Sequence, residues 1–199
     1  MIAGIVLAAG RSRRMGAPKA LLSWQGRSLL AHALTALREG GCAEVRVVVG
    51  PETDAAAREI AAAARGLGAC ALHNPDAAAE QVGSLCLALR TLPAECAAAV
   101  VLPVDVPRVR AATVAALGAA FRAGAPLAIP VHAGRRGHPA LFARPLFAEL
   151  CAPGLPEGAR SVIAAHAHAV REVAVADAGV LLDVDTPADV ERLHRLPGP

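Results

Sequence analysis

Residues 2–22 read IAGIVLAAGRSRRMGAPKALL: a short apolar run broken off by a basic, glycine-containing segment. Ile2 to Leu7 has the length and composition of a buried strand, and it stops at Ala8-Ala9-Gly10. Arg11, Ser12, Arg13, Arg14, Gly16 and Lys19 follow, before the next helical pattern. Small residues at a strand end let a ligand approach the backbone. Gly10 and Gly16 permit the dihedrals that turn successive N–H groups one way. Such N–H groups, with guanidinium and ammonium side chains, make a phosphate cradle. Of the 20 cationic side chains, Lys19 is the only lysine. A compact charge on a flexible stem can follow a phosphate whose charge moves, whereas Arg grips a fixed oxygen pair. The competing reading is a solvated basic loop beside a strand.

Downstream, helical spacing alternates with β-branched runs. Ser28 to Glu39 carries Leu29, Leu30, Ala33, Leu34 and Leu37, starts at Ser28 and stops at Gly40-Gly41. Val45 to Val49 reads as a buried strand. Further helices are predicted over 53–65, 84–92, 111–122, 145–151 and 160–168. Strands are predicted over 69–73, 98–104, 127–131, 140–142, 172–175 and 180–184. Thr186 caps a last helix, with Pro187 at its first position and Asp189 in its first turn. This alternation predicts an α/β layered fold on a mostly parallel mixed sheet. Ligands of such sheets sit at the carboxyl ends of strands, where strand order reverses. That rule places segment 8–19, Asp105 and Asp183/Asp185 on one edge. One domain over 1–199 is expected, with 196–199 a frayed tail.

A net charge of +3, with 2% aromatic residues and no Tyr, gives neither a basic stripe nor a base-stacking platform, so no nucleic-acid partner is expected. Five cysteines, an odd number without CxxC spacing, indicate neither a disulfide framework nor a zinc site. They are expected as small buried residues in a reducing compartment. No apolar run is long enough to span a bilayer and no signal-peptide pattern is visible, so the expectation is a soluble cytoplasmic protein without a membrane partner.

Asp105 follows the most apolar predicted strand and is bracketed by Pro103 and Pro107. It suits either a divalent-metal ligand opposite a phosphate loop or a turn aspartate. Asp183 and Asp185 stand two apart, so in extended chain both face one side. The following Thr-Pro also makes a good helix start. Gly83 and Ser84 at a helix start offer N–H groups and a hydroxyl to a base or ribose; Asn74 is a nucleotide contact or a turn residue before Pro75. GRRGHP, residues 134–139, is either an anion-binding loop or a solvated hairpin tip. No Ser-His-Asp or Cys-His nucleophile pairing is visible.

Leu7 to Lys19 fits LAAGxSxRMGxxK and neither GxxxxGK[ST] nor GxGxxG. The pattern resembles the MobA-like nucleotidyltransferases, with its nearest likeness to the molybdenum cofactor cytidylyltransferases. The resemblance implies a three-layer Rossmann-like (GT-A-like) fold. It implies that Leu7, Ala8, Ala9, Gly10, Ser12, Arg14, Lys19 and Ser84 bind the nucleotide, with Arg14, Lys19 and Asp105 catalytic. Asp105, in LPxDxP, and Asp185, in DxDTP, would hold Mg²⁺; Gly137 and His138, in GxRGHP, would bind the acceptor. The implied reaction moves CMP from CTP to molybdopterin with release of pyrophosphate, supplying a client molybdoenzyme. The LAAG form of the loop leans towards CTP, since guanylyltransferase relatives more often carry LAGG. The alternatives are a guanylyltransferase, a sugar- or polyol-phosphate cytidylyltransferase, or a non-catalytic carrier of the finished cofactor.

Overall fold

The structure, a computed structural model, describes residues 1–10, 17–76 and 81–196. In chain order the first half contains β1 (Ile2–Leu7), β2 (Ser23–Trp24), β3 (Arg27–Ser28), α1 (Leu29–Glu39), β4 (Glu44–Val49), α2 (Ala55–Gly66), β5 (Cys70–His73) and α3 (Gln81–Thr91). The second half contains β6 (Ala98–Pro103), α4 (Ala111–Arg122), β7 (Leu127–His132), β8 (Arg135–Arg136), β9 (Ala140–Ala143), α5 (Phe147–Leu150), α6 (Ala159–Ala165), β10 (Val170–Ala174) and α7 (Pro187–His194).

The strands join in the order β10-β7-β9-β6-β1-β4-β5, with β8 paired to β7. β1 pairs in parallel with β4 on one side and β6 on the other. β9 runs antiparallel to both its neighbours, so the sheet is mixed but mostly parallel, as predicted. From β1 the chain steps outward to β4 and β5, then returns across β1 to β6. Strand order therefore reverses between β1 and β6, where such sheets bind ligands.

The alternation of β1 explains the layers. Ala3 and Ile5 enter one core with Leu85, Leu89, Phe147, Leu150 and Val162, from α3, α5 and α6. Val6 enters the other with Leu34, Leu37, Ile60 and Leu117, from α1, α2 and α4. At Gly4 a Cβ would stand 3.0 Å from Leu37 Cδ1, so the glycine lets α1 lie close on the sheet. A third, smaller cluster joins Trp24, Leu29, Leu182, Val184 and Leu193.

Local signals set the helix ends. Ser28 Oγ accepts from Ala31 N, and Asp54 Oδ1 accepts from Ala56 N. Thr186 and Asp189 form a capping box with Pro187 in the first turn, as the sequence predicts. The short strands β2, β3 and β8 are not predicted, and two further differences bear on the site. α3 begins at Gln81, so Ser84 lies inside the helix rather than at its start. The 180–184 run is not a strand: a 3-10 helix spans Ala178–Leu181, and Leu182 and Val184 bury in the third cluster instead of pairing.

The cysteines also depart from expectation. Cys86 of α3 and Cys151 just after α5 are joined in a disulfide, with Cα atoms 5.1 Å apart, and Cys70 is exposed. The partners are 65 residues apart in sequence and meet because α3 and α5 share a face of the sheet, which no spacing rule reveals. Thiol titration of the denatured, unreduced chain should detect Cys42, Cys70 and Cys96 only; reaction of Cys86 or Cys151 would contradict the pairing. Among the described residues no helix is long and apolar enough to cross a membrane.

Candidate active site

Backbone bonds bring three segments together where strand order reverses. Val104 N donates to Leu7 O at 3.1 Å, aligning the end of β6 with that of β1. Asp105 comes next, and its carbonyl accepts from Val184 N at 2.8 Å. That bond fixes segment 183–185 beside β6 without a strand pairing. Leu182 and Val184 are buried and Asp183 and Asp185 exposed, so the two carboxylates share the outer side. Asp189 Oδ2 accepts from the N–H groups of Asp185 and Thr186 at 3.1 and 2.9 Å. The helix cap thus orients the backbone of Asp185, and the helix-start reading of Asp-Thr-Pro holds.

Lys19 faces this acidic point. It opens a 3-10 turn, Lys19–Leu21, after Pro18. Its Nζ lies 2.5 Å from Asp185 Oδ1 and 3.6 Å from Asp105 Oδ2. The side chain of Asp105 is 26% exposed and that of Asp185 58%. Burial pushes the Asp105 carboxyl above the ordinary carboxylate range; Lys19 opposes the shift, while Asp185 and Asp183 add to it. A carboxyl raised in the folded state contributes stability that is full below its unfolded pKa and lost as pH rises through its folded one. The ionised form of Asp105 is therefore a stability cost. Asp105→Asn should raise the unfolding midpoint of the metal-free protein near neutral pH, with the gap closing as pH falls into the ordinary carboxylate range. Equal midpoints at both pH values would contradict this.

A cavity of about 640 Å³ opens beside the pair. Leu7, Val82, Leu85, Phe142 and Ile163 give it an apolar wall. Asp105, Asp183, Asp185, His138 and Arg160 give it a charged one. Burial holds the His138 imidazole below its usual pKa, against the pull of Asp183 and Asp105, which favours the neutral ring. Its backbone N–H donates to Val180 O at 2.9 Å.

Gly137 has a packing role rather than a place on the cavity wall. A Cβ there would collide with Val180 O and stand 2.8 Å from its carbonyl carbon. Gly179 meets Arg108 in the same way, 2.6 Å from its carbonyl carbon. These backbone-to-backbone contacts press segment 178–185 against both the 134–139 loop and the loop after Asp105.

Leu7 lines the cavity, and Ala9 and Gly10 stand at the strand end. Ala8, by contrast, is buried and donates its N–H to Val48 O at 2.8 Å, so that group is not available to an anion. Gly10 has no left-handed φ, and among the described residues a Cβ there would meet nothing within 4 Å. Ser12, Arg14 and Gly16 lie outside the described residues. Ser84 Oγ is buried and accepts from Asn74 Nδ2 at 3.0 Å, while Asn74 Oδ1 accepts from Asp76 N at 3.1 Å. Asn74 ties the end of β5 to α3, and the Ser84 hydroxyl is engaged in that tie.

Two residues escaped the sequence reading. Arg160, at the start of α6, lines the cavity; its sequence signal was only an arginine closing the glycine-rich 154–160 stretch. Asp177, 4% exposed, accepts from Arg110 N, Thr113 Oγ1 and Gly179 N at 2.9, 2.6 and 3.0 Å. It fastens the start of α4 to the segment that carries Asp183 and Asp185.

Comparison with known proteins agrees with the fold. A crystal structure of Rv0371c from Mycobacterium tuberculosis H37Rv superposes with a TM-score of 0.82 at 31% identity, covering 98% of this chain and 97% of that one. A manganese complex of Rv0371c from the same organism superposes at 0.78 with 30% identity, covering 98% and 99%. Among curated proteins, a molybdenum cofactor guanylyltransferase of Xanthomonas euvesicatoria is 54% identical over 44 residues, 22% of this chain and 23% of that protein. Matches of this kind span about a quarter of the relatives' own length, 27% and 23% in two cases. The sequence pattern of the MobA-like NTP transferase domain matches residues 4–173. With its fold and its matched length in agreement, the chain belongs to the MobA-like NTP transferase family.

Proposed function

We propose that the chain transfers a nucleoside monophosphate from CTP to the phosphate of molybdopterin, releasing pyrophosphate. The observation that carries this reading is the meeting of Lys19 with Asp105 and Asp185 at the strand-order reversal, beside a half-apolar, half-charged cavity. An acceptor phosphate oxygen attacks the α-phosphorus, and the bond from that phosphorus to the bridging oxygen of the β-phosphate breaks. The acceptor phosphate is already ionised near neutral pH, so no general base is required. Alignment and charge neutralisation carry the catalysis.

Asp105 and Asp185 fit a hard divalent cation. They supply carboxylate oxygens, and a cationic group, the Lys19 ammonium, already sits against both. An ion such as Mg²⁺ keeps waters and takes phosphate oxygens, so one or two carboxylates are what it needs from the protein. Held by Asp105 and Asp185, such an ion would supply charge neutralisation for the transfer. Lys19 and Arg14 hold the triphosphate. Leu7, Ala9 and Gly10 border the nucleotide, while Ser84 positions α3 through Asn74. Arg160 and His138 line the acceptor side, where Val82, Phe142 and Ile163 of the apolar wall take the pterin. The product would pass to a client molybdoenzyme.

The Ala8-Ala9 form of the loop supports CTP. The guanylyltransferase relative supports the second reading, GTP with the same acceptor. Incubation with molybdopterin and each NTP in turn, followed by mass analysis, tests both. A cytosine dinucleotide product is expected; a guanine product selects the second reading. Absence of pyrophosphate with every NTP overturns both.

A further inference from the structure

One ammonium group, that of Lys19, is the ion-pair partner of both carboxylates assigned to the cation, at 2.5 and 3.6 Å. Its side chain is 15% exposed, so it is a seated charge rather than a loose surface lysine. We infer that Lys19 makes the acidic pair selective for a cation that arrives on a triphosphate and disfavours a free one. This inference rests on the function proposed above.

A free divalent ion approaching Asp105 and Asp185 meets a positive charge already in contact with them. It must either dislodge the ammonium or sit beside it against like-charge repulsion, which is strong in a half-buried site. A metal–triphosphate brings its own negative charge. The flexible stem of Lys19 lets the ammonium turn from the carboxylates to the phosphates, and the pair is released as the cation reaches it.

The choice of lysine in an arginine-rich chain follows. Of the 20 cationic side chains, 19 would have brought a planar fork here. A guanidinium grips a carboxylate through two parallel bonds and gives it up less readily than an ammonium. Arginine at position 19 would hold the acidic pair closed; lysine opens it.

The test is Mn²⁺ binding to the full chain without nucleotide, followed by the electron paramagnetic resonance signal of the free ion. Lys19→Met should bind Mn²⁺ at least about tenfold more tightly than the wild type. Lys19→Arg should bind no more tightly than the wild type. Arg160→Met removes an equal charge from another part of the cavity wall and should gain clearly less than Lys19→Met. No gain in Lys19→Met overturns the inference, as does an equal gain in Arg160→Met, since general charge rather than seating would then be at work. Adding Asp105→Asn to Lys19→Met separates this inference from the reading beneath it. The gain should vanish; a gain that persists places the ion elsewhere and overturns the assignment of Asp105 in the proposed function.

Discussion

Pyrophosphate release by Asp105→Ala is expected to fall about 10³-fold, equivalent to ~4 kcal/mol of transition-state stabilisation. Asp105 is the more enclosed of the two carboxylates that meet Lys19, and its position is fixed twice over. Val104 N is bonded to Leu7 O, and Asp105 O accepts from Val184 N. A group held this firmly at the reversal of strand order stabilises developing charge without first having to move. Lys19→Ala should produce a loss of similar size, because both groups act on the same triphosphate. The double variant should then be far less impaired than the product of the two single losses, as for residues that work as a unit. Steady-state pyrophosphate release at saturating nucleotide and divalent cation is the measurement. Turnover within tenfold of wild type in both single variants would remove the catalytic assignment. For Asp105 the expected loss accompanies the higher stability expected of Asp105→Asn, since the same buried charge that serves the reaction burdens the fold.

Asp177→Ala is expected to lower the stability of the fold by about 3–5 kcal/mol. The carboxylate is buried and accepts from Arg110 N, Thr113 Oγ1 and Gly179 N. Truncation leaves these donors without an acceptor, and a buried unsatisfied group costs ~1–3 kcal/mol. Against a total stability of roughly 5–15 kcal/mol the loss is severe. Thr113→Val removes one donor while the carboxylate keeps the other two, so about 1 kcal/mol is expected there. Chemical denaturation of the three proteins gives the comparison. An Asp177→Ala variant as stable as Thr113→Val would mean that the donors find other acceptors and that Asp177 is not the fastening point. The residue also bears on the site: it joins the start of α4 to segment 178–185, which presents Asp183 and Asp185.

Local signals suffice where backbone preference or side-chain period decides alone. The β1 run, the Ser28 start of α1, the bounds of α4 and the Thr186 cap all follow from neighbours within a few residues. The run at 180–184 reads as a strand because apolar residues in extended chain look alike whether they pair with a strand or pack under one. Here Trp24, Leu29 and Leu193 cover Leu182 and Val184, and the 3-10 turn at Ala178–Leu181 takes the chain off the sheet. The sequence puts Gly83 and Ser84 at a helix start, yet α3 begins at Gln81 and runs through both.

By itself, then, the sequence determined the α/β class, the family likeness carried by residues 7–19, and the candidacy of Lys19, Asp105 and Asp185, since residue type and spacing encode what a backbone can do locally. Only the tertiary structure decided that Lys19 and Asp185, 166 residues apart, touch. It alone gave Gly137 its packing contact, joined Cys86 to Cys151, and set Arg160 on the cavity wall. Those outcomes depend on which strand lies beside which. Strand order is chosen by the whole core at once, through the burial of both faces of β1, and not by any segment alone.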